Sequence, residues 1–122
     1  MATKRGLFAT AALLACTNGA AATGEQLLTM MKDAKNAAGA LVFITYIEGV
    51  SDTERFYAAV DDLRGPGRYV PPHACLPSDV QLPDQTSAVI DFIKENEQTV
   101  RHTYDGAGIV REAMRVRWPC NR

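Results

Sequence analysis

Sulfur and imidazole are the groups in this chain best suited to do chemistry. His73 and Cys75 stand two positions apart, with His102 and Cys120 downstream, a set that could hold a zinc ion or form a Cys-His nucleophile. Their spacings fit no metal or protease pattern, so no catalytic residue, no metal and no cofactor is expected, and both histidines read as ordinary surface residues. The third cysteine, Cys16, lies in an N-terminal segment that reads as an export leader. Processing of that segment leaves Cys75 and Cys120 as a pair in a compartment where thiols are oxidised. Their disulfide would close a loop of 46 residues, counted inclusively, for which chain entropy gives roughly 4 kcal/mol.

The remaining reactive groups have plainer uses. Asp61-Asp62 and the set Asp91, Glu95 and Glu97 could in principle supply paired acids, but on amphipathic helices such charges make the solvated face. Met30 and Met31 could bind copper, yet they fall on an apolar stripe and read as packing. No nucleophile elbow, zinc-protease helix, phosphate loop or calcium loop is present. Arg68 and Tyr69 stand apart from these. They are residue types enriched at interface hot spots, and Pro66, Pro71 and Pro72 stiffen the loop that carries them, which makes them the candidate partner-binding residues.

Helices must position these groups. Thr23-Gly24-Glu25-Gln26 is a capping box that starts a helix whose stripe runs through Leu27, Met30, Met31, Ala34 and Ala38. The run from Ala40 to Ile47 has the composition of a strand, but no second strand-like run exists to pair with it, so helix is the better reading. Ile44, Ile47 and Val50 continue that helix. Gly49 is a place for it to bend. Beyond Gly49, the residues Phe56, Ala59, Val60 and Leu63 predict its buried face, with Glu54, Asp61 and Asp62 outside. Gly65-Pro66-Gly67 stops it, and an extended loop runs on through Pro72. Pro83 and Asp84 open a third helix with Ala88, Val89, Phe92 and Ile93 on its apolar face. A polar link over 96–105 leads to a last helix carrying Ile109, Val110, Ala113 and Met114, which Pro119 ends. An antiparallel pairing of these last two helices brings Cys75 and Cys120 to one end. The fold class expected is all-α, a small bundle of four to five helices.

The 122 residues, 47% hydrophobic and 22% charged, suit one globular core. Lys4 and Arg5, an apolar run from Gly6 to Cys16 and the small residues up to Ala22 form a secretory signal too short in its apolar part to stay in a bilayer. Residues 1–22 are expected to be the signal peptide and 23–122 the mature domain. Leu13-Leu14-Ala15-Cys16 offers the alternative of a lipoprotein anchored through Cys16. Without Lys4 and Arg5 the domain keeps eleven basic and fourteen acidic residues, a charge of −3, which argues against nucleic acid as a partner and, unless Cys16 is lipidated, against a membrane.

Several segments then fall into a known order: Gly24-Glu25-Gln26-Leu27-Leu28, Tyr46-Ile47-Glu48-Gly49-Val50-Ser51-Asp52, Cys75-Leu76-Pro77, Gln85, and Trp118-Pro119-Cys120. Over the whole mature chain this resembles the Rap/Tai family of immunity proteins associated with bacterial type VI secretion. Two further cysteines usual in that family are replaced here by Met31 and Phe43, as if a buried disulfide had been exchanged for packing. Thr45 stands where glycine is usual, and Asn96-Glu97-Gln98 where His-Pro-Glu is common. The resemblance implies a helical periplasmic protein, often a homodimer, that binds a peptidoglycan-cleaving amidase-like effector toxin and blocks its active site without being an enzyme. A periplasmic chaperone or envelope accessory protein, and a hydrolase using Cys75 as a free thiol, are the alternatives.

Overall fold

The computed structural model describes residues 22–121, in which the regular elements are all helices, with one disulfide. The signal-peptide reading and Cys16 therefore fall, apart from Ala22, outside the described residues. Five helices follow in order: α1 Gly24–Asp33, α2 Ala37–Arg64, α3 Leu82–Glu95, α4 Glu97–Arg101 and α5 Gly106–Arg117.

The capping box forms as its sequence predicts. The Gln26 amide donates to Thr23 Oγ1 at 3.2 Å, and the Thr23 amide to Gln26 Oε1 at 2.8 Å. Gly24 is required by a close approach, since a Cβ there would lie 1.7 Å from the Val100 carbonyl oxygen at α4. Its amide instead donates to Thr103 O at 2.8 Å, and Gly106 N to Ala22 O at 2.7 Å. The start of the domain is thus tied between α4 and α5.

The first predicted helix ends sooner than its apolar stripe suggests. It stops at Asp33, and Asn36 caps a new helix by accepting from Gly39 N at 2.8 Å, leaving Ala38 exposed. The run 40–47 is helix, as expected despite its strand-like composition, and α2 continues without a break through Gly49. The link over 96–105 also holds a short helix, α4, where only a connector was expected.

Leu27, Phe43, Ile47, Val89, Ile93, Val110 and Met114 are fully buried at the centre, each contributing about 1.5–3 kcal/mol by leaving water. Met30 and Met31 pack against this cluster, and Phe43 lies within it, in keeping with packing in place of a second disulfide. Cys75 and Cys120 are bonded, their Cα atoms 4.9 Å apart, and the Cys75 amide donates to Trp118 O at 2.9 Å. The bridge expected from the cysteine pair is therefore present, and the alternative of a free Cys75 thiol falls away.

The largest correction concerns the second half of α2. Phe56 is 63% and Leu63 85% exposed, Ala59 is exposed too, and the inward positions belong to Ser51, Glu54 and Asp61. Phe43, Ile47, Val50 and Glu54 follow at three- and four-residue steps and Asp61 seven residues further, two turns along the same face, so its chemistry changes from apolar to acidic. What Glu54 and Asp61 bind explains the change.

Candidate partner interface

The loop after α2 turns on glycines. Gly65 and Gly67 have φ of 104° and 73°, in the left-handed region that a side chain disfavours. From there the chain returns over α2 through residues 68–74, and its backbone polar groups need partners once it is laid against the helix.

Two buried carboxylates supply them. Glu54, 0% exposed, accepts from the Ala74 amide at 2.6 Å through Oε2 and from Arg111 Nε through Oε1. Arg111 also donates to Pro72 O at 3.0 Å, and its guanidinium stacks 5.1 Å from the Tyr57 ring. Asp61, 2% exposed, accepts from Gly67 N at 3.1 Å through Oδ1 and meets His73 Nε2 at 2.5 Å through Oδ2. The other ring nitrogen, Nδ1, stands 2.8 Å from Ala74 O. Both ring nitrogens thus face oxygens, one on α2 and one on the loop's own backbone. A buried acid without a partner is costly, and here both acids bind the loop, its return at 73–74, and the arginine that holds it.

His73 is therefore not the surface residue its sequence context suggests. It is 7% exposed, with Nδ1 3.8 Å from Cys120 Sγ. His73, Cys75 and Cys120 do come together, their candidate ligand atoms all within 4.8 Å. With the two sulfurs joined to each other, neither is available as a thiolate. His102 follows α4 as an exposed residue and is not part of this group. The carboxylate clusters divide: Asp91 pairs with Arg117 at 3.2 Å and Glu97 with Arg101 at 3.0 Å on the surface, whereas Asp61 is sequestered. Such exposed pairs stabilise little.

Above the clamp, Arg68 and Tyr69 are exposed, as a presented surface requires. The Arg64 guanidinium lies 5.6 Å from the Tyr69 ring, bringing in a residue that the sequence did not single out. Beside them runs a groove of about 410 Å³, lined by Val70, Pro71, Val116 and Pro119 together with Asp61, His73, and Glu112 and Arg115, which pair at 3.0 Å.

A second surface lies on the outer face of α2. Leu41, Val42, Phe56 and Leu63 are exposed there, and a Cβ on Gly49 would meet nothing within 4 Å. Grooves of about 340 and 500 Å³ flank it, sharing Thr45 and Tyr46. Burial, with the Asp105 carboxylate adding a smaller push, raises the Tyr46 hydroxyl above its ordinary value of 10.0. That hydroxyl and Gln85 Oε1 are buried without a hydrogen-bond partner among the described residues.

The scaffold is thus all-helical and disulfide-closed, with one exposed loop held on two buried acids. Residues 23–120 match the family model of the Rap1a immunity proteins, four-fifths of the chain, and the chain belongs to that family. The Rap/Tai resemblance carried by its motifs is borne out: it is an immunity protein, a class defined by a cognate secreted toxin as partner. Neither a curated protein nor a solved structure matches the chain. Within the motif Tyr46–Asp52, Ile47, Val50 and Ser51 point to the core, while Glu48, Gly49 and Asp52 face outward.

Proposed function

We propose that this chain is a periplasmic immunity protein that binds a peptidoglycan-cleaving, amidase-like effector of a type VI secretion system and covers its active site. It does so with no catalytic residue of its own. The clamped loop carries this reading, because a segment fixed in advance loses less entropy on binding than a mobile one. Arg68 and Tyr69 supply the interface side chains on that loop. Export through residues 1–22 places the mature domain 23–122 in an oxidising compartment, where the Cys75–Cys120 bond persists.

The outer face of α2 supports a homodimer. Phe56 and Gly49 stand seven residues apart, two helical turns along one face. In an antiparallel pairing of two α2 helices, each Phe56 meets the space beside the other copy's Gly49, a self-complementary arrangement about a two-fold axis. The same exposed apolar residues would suit an envelope accessory chaperone, which predicts suppressed aggregation of many unfolded clients rather than one tight complex.

The test is expression in the periplasm together with the toxin encoded beside its gene. Immunity predicts restored growth and a stoichiometric complex, weakened by replacing Arg68 and Tyr69 with Ala. No rescue and no complex would refute it.

A further inference from the structure

The clamp sorts charge. Arg101, Arg111, Arg115 and Arg117 each meet a carboxylate. Among the described residues, Arg55, Arg64 and Arg68 form no ion pair; of these, Arg64 and Arg68 lie at the loop, and Arg64 lies over the Tyr69 ring. The two acids beneath this loop, Glu54 and Asp61, are buried and turned toward Arg111, His73 and the backbone. Asp62 is the exposed acid next to them in sequence, so the loop and the helix end it leaves present two cations against one anion. The mature chain as a whole is acidic, which makes this cationic face a local exception.

The adjoining groove adds an apolar element. Val70 and Pro71 wall it directly after Arg68 and Tyr69 in the chain, with Val116 and Pro119 opposite in sequence on the C-terminal segment. The groove also carries Asp61, His73 and the Glu112–Arg115 pair, so Val70, Pro71, Val116 and Pro119 make only part of its wall, and the arginines and Tyr69 beside it are residue types enriched at binding hot spots.

We infer that the segment of the partner received by this loop is an acidic polypeptide: a carboxylate meets Arg64 and Arg68 beside the Tyr69 ring, and a neighbouring apolar side chain enters the groove. This rests on the immunity reading and adds the chemistry of the surface bound. Exposed charge pairs of this kind act mainly on the rate of encounter, and salt screens them.

The experiment uses the disulfide-bonded mature chain and the toxin encoded beside its gene, with association followed by stopped flow at low and high ionic strength. Changing Arg64→Gln together with Arg68→Gln is expected to slow association on the order of tenfold at low salt and to flatten the salt dependence. The matched pair Lys32→Gln and Lys94→Gln, which removes the same charge from other exposed positions, is expected to retain most of the rate. Unchanged melting temperatures confirm that both variants fold. Equal effects of the two double variants, or none from the arginine pair, would overturn the inference while leaving immunity intact. No binding by the unaltered chain would overturn both.

Discussion

The two halves of α2 present the same face to the interior and use it for opposite purposes. Phe43, Ile47 and Val50 close an apolar core, whereas Ser51, Glu54 and Asp61 continue the row with polar groups. The first half stabilises by leaving water; the second replaces water with fixed acceptors for a loop that would otherwise strand its amides. The core half makes the domain fold, and the acidic half decides where residues 65–74 sit.

Glu54→Ala puts this contrast under the greatest strain. It leaves the Ala74 amide and the Arg111 guanidinium without their partner, and a loss of about 3–5 kcal/mol is expected in denaturant unfolding. Ile47→Ala, at the matching place in the core half, should cost about 3 kcal/mol through lost burial and a cavity. The two should differ in kind: the Ile47 variant weakens the whole domain, while the Glu54 variant also frees the loop. A Glu54 variant within about 0.5 kcal/mol of the unaltered chain would abolish the distinction, since that is the range of ordinary surface changes.

Gly49→Ala sharpens the contrast between the inner and outer faces. A glycine inside a helix costs about 1 kcal/mol relative to alanine, and the added methyl meets nothing within 4 Å, so the isolated chain should become more stable by about that amount. If a second copy approaches there, the same change weakens self-association in sedimentation equilibrium. A destabilised monomer would show that Gly49 serves its own fold.

Tyr46 gives the smallest effect. Its folded-state value is raised, so its contribution to stability is complete below the unfolded value near 10 and is lost as pH rises through the folded value. Tyr46→Phe should remove that alkaline loss from a melting-temperature profile. At neutral pH it should cost little, because the hydroxyl has no hydrogen-bond partner among the described residues. A strong destabilisation at neutral pH would mean that the hydroxyl is bonded after all.

Local signals made much of the fold legible. The Thr23 capping box, Pro83 in the first turn of α3, the stripe of α5 and the cysteine pair each act over a few residues or admit a single pairing. The inner face of late α2 was not legible, because Phe56, Val60 and Leu63 compete there with Glu54 and Asp61 and hydrophobicity alone chooses the former. Distant groups reverse that choice: Ala74 lies 20 residues from Glu54, and Arg111 lies 57. His73 was misread for the same reason, its carboxylate being twelve residues away on another element. Arg68 and Tyr69 stood out by type and by their proline setting, while Arg64 was hidden because only the fold lays it on the tyrosine ring.

Amide hydrogen exchange at Gly67 and Ala74 reads the clamp directly, with no partner needed. Both amides should exchange far more slowly than a free loop in the unaltered chain, and Asp61→Ala and Glu54→Ala, which remove the accepting oxygens, should release Gly67 and Ala74 respectively while the amides around Ile47 stay protected. Rapid exchange at both positions in the unaltered chain, with the core protected, would contradict a loop held by buried acids.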